Sequence, residues 1–263
     1  MPNMKRLLFN SVHFLTRQFG YDLAKRSSFS LGDPSSVAAI AQHLAELLPA
    51  LSIEVVIDVG ANMGQYYDFL RDRVGFTGRV ISFEPIPELA QALKERSRAD
   101  PKWAVHNIAL GRQQGTLPLN ISHKTGWSSL LQKAGRDVNE VAASITIERV
   151  ADVRIQTLQD VFDTIEPGLD PASTYLKLDS QGFDLEIMLG AQALLQRIPA
   201  LQSELELVAV YEGAPDYLDV LRFLRSKGFA ITGLFPIWAD KSFRVGEIDA
   251  VFRNFFAAGS HSQ

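Results

Sequence analysis

Val56-Ile57-Asp58-Val59-Gly60-Ala61-Asn62-Met63-Gly64-Gln65 is the stretch that decides how this chain folds. A short apolar run ends in a glycine-bearing turn, and the residues that follow predict a helix over 63–73. Such a turn brings backbone amides and the positive end of a helix to a ligand. A dinucleotide fold would carry G-x-G-x-x-G at this point. Here Asp58 stands in place of the first glycine, and the pattern is D-x-G-x-x-x-G. A carboxylate about 4 Å from a pyrophosphate oxygen costs roughly 4 kcal/mol per charge pair at an effective dielectric of about 20. The same charge favours a ligand with an ammonium and a sulfonium group and no phosphate. That is the chemistry of S-adenosylmethionine.

Outward from this turn, apolar strands and helices alternate. Strands are predicted at 53–58, 78–83 and 103–106, with a helix over 87–99 that Pro87 opens. Strands apolar on both faces and separated by helices indicate a parallel sheet. The stretch 110–157 breaks the rhythm with Gly111, Gly115, Gly126 and Gly135, and reads as hairpin-like structure inserted beside the third strand. The alternation resumes with a strand at 174–179, a helix over 183–195 and a strand at 201–208. A last helix over 217–227 stops at Gly228, and strands at 229–234 and 248–252 close the pattern. The expected organisation is an N-terminal helical extension over 1–50, one α/β domain over 51–254 and a flexible tail over 255–263.

Composition sets the outer limits. With 263 residues, 46% apolar and 21% charged, the chain has the make-up of a globular protein. A net charge of −4 lacks the basic face that general nucleic-acid binding needs, so no nucleic-acid partner is expected. The absence of cysteine excludes thiolate nucleophiles, disulfides and iron–sulfur ligation. No apolar run is long enough to span a bilayer, and Asn10, Ser11 and His13 interrupt any secretory signal, so a cytoplasmic location is expected. Met4, Leu7, Leu8, Val12, Leu15 and Phe19 recur at helical spacing among Lys5, Arg6 and Arg17. This basic amphipathic helix suits an anionic membrane surface, the domain's own core or a second copy in a homo-oligomer. Packing on the fold or on a second copy is the expectation.

Glu84 ends the second strand twenty residues past Gly64, where an acid can accept hydrogen bonds from both hydroxyls of a ribose. Pro85 then stops the strand.

Several segments, taken in order, resemble the FkbM family of S-adenosylmethionine-dependent methyltransferases. They are Asp58-Val59-Gly60-Ala61-Asn62, Phe83-Glu84-Pro85, Asn107-Ile108-Ala109-Leu110-Gly111, Leu176-Lys177-Leu178-Asp179-Ser180-Gln181-Gly182 and Leu189-Gly190-Ala191. Gln202-Ser203-Glu204 and the run 207–213 extend the likeness, which covers about 55–252. The resemblance implies a seven-stranded Rossmann-like methyltransferase fold and methyl transfer, usually to a hydroxyl of a sugar, a glycan or a secondary metabolite. It places the methionine part of the cofactor over Asp58, Gly60, Asn62 and Gln65, and the ribose on Glu84 beside Pro85. Asn107 and Ala109 would border the adenine, although an Asn there also suits a turn that satisfies its own backbone. The family usually has an acid at the position of Gln181.

Asp179 ends the fourth main strand beside the sheet's crossover, where open α/β sheets bind ligands. It is the first candidate to take the acceptor's proton, to hold its hydroxyl, or to bind the cofactor's amino group. Lys177 shares its strand face and suits either a developing alkoxide or a structural pair with the acid. His123 and Ser128-Ser129 fall in the inserted loops, where acceptor specificity is expected, with His123 as an alternative base. Glu204 and Asp179 together suit a divalent cation, but no third oxygen ligand is evident and a metal is not favoured. N-methylation and a non-catalytic, cofactor-binding partner subunit are the competing readings.

Overall fold

The computed structural model describes residues 34–135, 140–240 and 243–257. The basic helix expected over 4–19 and most of the expected tail lie outside the described residues. No helix among the described residues is long and apolar enough to cross a membrane.

The centre is β1 (Val55–Val59), buried at all five positions as its apolar run requires. It pairs in parallel with β2 (Arg79–Phe83) on one side and β7 (Thr174–Leu178) on the other. β3 (Trp103–His106) joins β2, and β8 (Ala200–Glu206) joins β7, both in parallel. The last hairpin, β9 (Phe229–Ala239) and β10 (Val245–Asn254), folds back so that β10 inserts antiparallel between β8 and β9. The resulting order is β3-β2-β1-β7-β8-β10-β9. This is the seven-stranded, mostly parallel methyltransferase sheet that the motifs implied. The chain runs outward from β1 in one direction, then starts again at β7 in the other. The crevice between the ends of β1 and β7 is therefore the switch point where this class of sheet binds ligands.

Helices cover both faces. On one, α1 (Pro34–Ala50) and α2 (Gln65–Phe69), which continues as a π-helical turn (Leu70–Val74), bury Ile40, Leu44, Leu48 and Leu70 against Val56, Val80 and Tyr175. α3 (Pro87–Ser97) adds Leu93 to that side. On the other, α5 (Leu158–Asp160), extended by a second π-helical turn (Val161–Ile165), and α6 (Asp184–Leu189), α7 (Gln192–Leu195) and α8 (Tyr217–Ser226) bury Leu158, Val161, Ile187, Leu194 and Leu224 against Ile57, Leu176 and Leu201. Gly228, at φ 92°, ends α8 in the left-handed conformation expected of it.

The structure revises two details, the helix over 183–195 and the length of the last strands, and specifies the hairpin-like insertion. The stretch read as one helix over 183–195 breaks at Gly190, where the backbone passes so close to β4 (Ala109–Leu110) that a Cβ would lie 2.5 Å from the Gly111 carbonyl. The insertion is a second sheet, order β4-β6-β5, from β5 (Gly115–Ser122) and β6 (Ile147–Gln156), with the short α4 (Glu140–Ser144) between them. The final hairpin strands are longer than the runs 229–234 and 248–252, because register shifts let them continue past Pro236 and Gly246.

Candidate active site

A cavity of about 510 Å³ opens over the ends of β2, β1, β7, β8 and β10. Its first wall is the turn after β1. Gly60 at φ 81° lets this turn touch the end of β7, since a Cβ there would stand 1.9 Å from the Asp179 carbonyl oxygen. Every amide from Gly60 to Gly64 is already used inside the protein. Gly60 and Ala61 N–H donate to the Phe83 carbonyl, and Gly64 N–H donates to that of Ala61. Asn62 N–H donates to Glu84 Oε2 at 2.7 Å, and Met63 N–H to Gln65 Oε1 at 3.0 Å. The turn shapes the cavity without forming an amide cradle for phosphate.

Glu84 closes β2 with its carboxyl buried, its other oxygen accepting from Ile86 N–H at 2.8 Å. Burial outweighs these two bonds and raises its pKa to about 7. Beyond it, Ile86, Ile108, Leu110 and Leu119 supply an apolar wall suited to a flat base.

Under the turn runs a polar row set by strand register: Ser82, Asp58, Lys177 and Gln202 stand side by side on β2, β1, β7 and β8. Lys177 Nζ lies 3.1 Å from Asp58 Oδ1, off the line of a directed hydrogen bond, and 3.2 Å from Asp179 Oδ2. Burial opposes its charge, yet Asp179 and Asp58 hold the ammonium protonated. Gln181 Nε2 donates to Asp179 Oδ1 at 3.0 Å and to Glu204 Oε2 at 2.8 Å. The Tyr211 hydroxyl reaches Gln181 Oε1 at 2.8 Å. Burial works to raise the Asp179 pKa, but Lys177 and the hydrogen bonds from its neighbours hold it below the usual range. Burial, then the charge of Asp179, pushes Glu204 well upward. The two carboxyls are thus shifted in opposite directions, Asp179 toward its ionised form and Glu204 toward its neutral one. Asp179 keeps 37% of its side chain exposed, because the cavity reaches it.

Lys177→Met should destabilise the fold by about 3–5 kcal/mol, since it strands the fully buried Asp58 beside Asp179 without a counter-charge. Urea unfolding checks this. A loss under about 1 kcal/mol would mean that the pair contributes little.

The structure brings Gly60, Asn62, Gln65, Glu84, Pro85, Ala109, Lys177 and Asp179 to one cavity. Three expected positions differ. Asp58 is fully buried beneath the turn, turned to Ser82 and Lys177, and does not line the cavity. Asn107 points away as well: its Nδ2 holds the carbonyls of Glu84 and Pro85 at 2.9 and 3.0 Å, and the chain after it forms the wall. His123 is exposed against Glu148 outside the cavity, because β5 ends before reaching it. Ser128 and Ser129 do line the cavity, and Ser129 Oγ donates to the Gln181 carbonyl at 2.6 Å. Among the described residues no group of three or more His, Asp or Glu is placed to hold a metal ion. Between Asp179 and Glu204 stands the Gln181 amide.

Tyr66, Gln202 and Asp249 also line the cavity and were not anticipated. Tyr66 OH donates to Gln202 Oε1 at 2.8 Å, and Gln202 Nε2 to Asp249 Oδ1 at 2.7 Å. Gln202 and Asp249 are polar residues within β8 and β10, and Tyr66 lies on α2.

The family model of the methyltransferase FkbM domain matches residues 58–231. No curated protein sequence matches significantly. Among solved structures, the chain is similar to a methyltransferase FkbM from Methylobacillus flagellatus KT, with 16% identity, TM-score 0.48 and coverage of 77% of this chain and 44% of that one. The chain thus spans less than half of that protein. It is also similar to the 1,6-didemethyltoxoflavin-N1-methyltransferase of Burkholderia thailandensis, solved with S-adenosylhomocysteine, at 10% identity and TM-score 0.40, covering 82% and 79%. An rRNA methylase from Streptococcus thermophilus matches at 11% identity and TM-score 0.43, covering 88% and 98%.

Proposed function

This chain belongs to the FkbM family of methyltransferases, and from that premise we propose that it methylates a hydroxyl oxygen of a sugar, a glycan or a secondary metabolite. The observation that carries the reading is the turn after β1. Its amides are consumed internally, while an ionised carboxylate, Asp179, stands open to the cavity beside it. That arrangement suits a cofactor without phosphate and an acceptor that must lose a proton. S-adenosylmethionine, when bound, supplies an electrophilic methyl group on a sulfonium.

The residues present fit that cofactor. Glu84 accepts from the ribose hydroxyls, the apolar wall around Ile86 and Ile108 flanks the adenine beside Pro85 and Ala109, and Gly60, Asn62 and Gln65 border the methionine part. Asp179 orients the acceptor hydroxyl and takes its proton. A hydroxyl grows strongly acidic as its oxygen forms the new bond to carbon, so a carboxylate of low basicity is sufficient. Lys177 keeps that carboxylate ionised and fixed. The net charge of −4 supports a small hydroxyl-bearing acceptor over a nucleic acid.

Incubation with methyl-labelled S-adenosylmethionine and a panel of alcohols, sugars and amines tests the reading. Label recovered as an O-methyl ether supports it, label on nitrogen replaces it with N-methylation, and no transfer points to a non-catalytic subunit.

The Glu84 pKa gives a second expectation. Ribose hydroxyls bind the ionised form, so cofactor binding releases a proton, and affinity should rise about tenfold per pH unit up to about 7 and then level off. For the free protein the sign is opposite: the raised pKa makes stability fall as pH rises from 4.5 to about 7. Calorimetry across pH, with Glu84→Gln as the control, reads both. A flat profile for the wild type would remove Glu84 from the ribose site.

A further inference from the structure

The cavity continues over β7, β8 and β10, beyond the residues assigned to the cofactor. Here Val37 and Ile40 of α1 and Phe69 of α2 form an apolar wall, facing a floor of Asp179, Glu204 and Asp249. The ammonium and amide donors around this floor are already engaged. Lys177 faces Asp58, Asp179 and, at 5.0 Å, the ring of Tyr66. Gln181 faces Asp179 and Glu204, and Gln202 faces Asp249. What remains for a ligand is mainly the carboxyl oxygens of Asp179, Glu204 and Asp249.

We propose that the acceptor is a hydrogen-bond donor without negative charge, a hydroxyl-bearing molecule whose apolar arm lies against Val37, Ile40 and Phe69. This deepens the methyl-transfer reading above and rests on it. A phosphate, sulfate or carboxylate group would meet three carboxyl groups and one ammonium that Asp58 and Asp179 already neutralise. Burial first, and then the charge of Asp179, raises the Asp249 pKa to about 6 against the bond from Gln202 and the charge of Lys177. A hydroxyl brings the donors that the floor lacks, and an alkyl or aryl arm covers the wall that water leaves costly.

Two probes with the same arm separate the cases: n-hexyl β-D-glucoside and n-hexyl sulfate, titrated calorimetrically into the full chain with and without S-adenosylhomocysteine. The glucoside should bind at least about tenfold more tightly than the sulfate. Asp249→Asn should narrow that gap. Val37→Asp, at a half-exposed position, should weaken the glucoside by about fivefold or more while S-adenosylhomocysteine binding persists. Equal or tighter binding of the sulfate, or no binding of the glucoside in either state, would overturn the proposal. Loss of S-adenosylhomocysteine binding alone would instead strike the methyltransferase reading, because the probe preference is read in its absence as well.

Discussion

Asp179→Asn should slow methyl transfer by about 10²–10⁴-fold while leaving cofactor affinity within about threefold. The substitution keeps the size of the side chain and most of its hydrogen bonding, but an amide cannot take the acceptor's proton. The carboxylate is held ready to receive it, with Lys177 and Gln181 occupying one direction of each oxygen and the cavity reaching the rest. The rate is measured with whichever acceptor the labelled-methyl panel identifies. A comparable loss of cofactor affinity would move Asp179 to the methionine amino group. Near-normal turnover would remove it from the chemistry.

Gly60→Ala should cost roughly 3 kcal/mol or more of stability, combining left-handed strain with a backbone clash. At φ 81° its Cβ would stand 1.9 Å from the Asp179 carbonyl, and neither side of that contact is a flexible side-chain end. Gly75 provides the control. It has a similar φ of 76° but nothing within 4 Å of a built Cβ, so Gly75→Ala should cost only the conformational term of about 1–2 kcal/mol. Urea denaturation of the two variants reads the difference. Equal losses would mean that the β1 turn and the β7 end are not held in contact, and the cavity would lose one of its defining walls.

The sheet was legible because its strands are apolar on both faces and bounded by turn residues, from Val55 to Phe252. The insertion was legible as hairpin-like from its alternating stretches at 116–121 and 144–148, but not the bounds of its strands, because β5 and β6 pair across the intervening loops. Glu84 and Asp179 stood out because each ends a strand beside a proline or a glycine-bearing turn. Asp58 lies beneath the cavity: within β1 its side chain turns to Lys177, and the residues that line the cavity begin at Val59 and Gly60. Asp58 supplies one of the two negative charges around Lys177. The contact between Gln202, quoted only as part of a family segment, and Asp249 was not legible because the two meet only when β10 inserts beside β8, a pairing that no short-range pattern reveals. Thr157 and Asp160 form a capping box that opens α5, a local signal present in the sequence but obscured by the irregular stretch before it.

The most direct measurement is calorimetric titration of the full chain with S-adenosylhomocysteine and with NAD, repeated on Glu84→Ala. Saturable binding of the sulfur ligand and none of NAD is expected, because the turn after β1 offers no amides to a pyrophosphate. Glu84→Ala should weaken that binding by about 1.5–3 kcal/mol, the loss of hydrogen bonds from the ribose to a charged acceptor. Saturable NAD binding without S-adenosylhomocysteine binding, or an unchanged affinity in Glu84→Ala, would contradict the assignment of this cavity to S-adenosylmethionine.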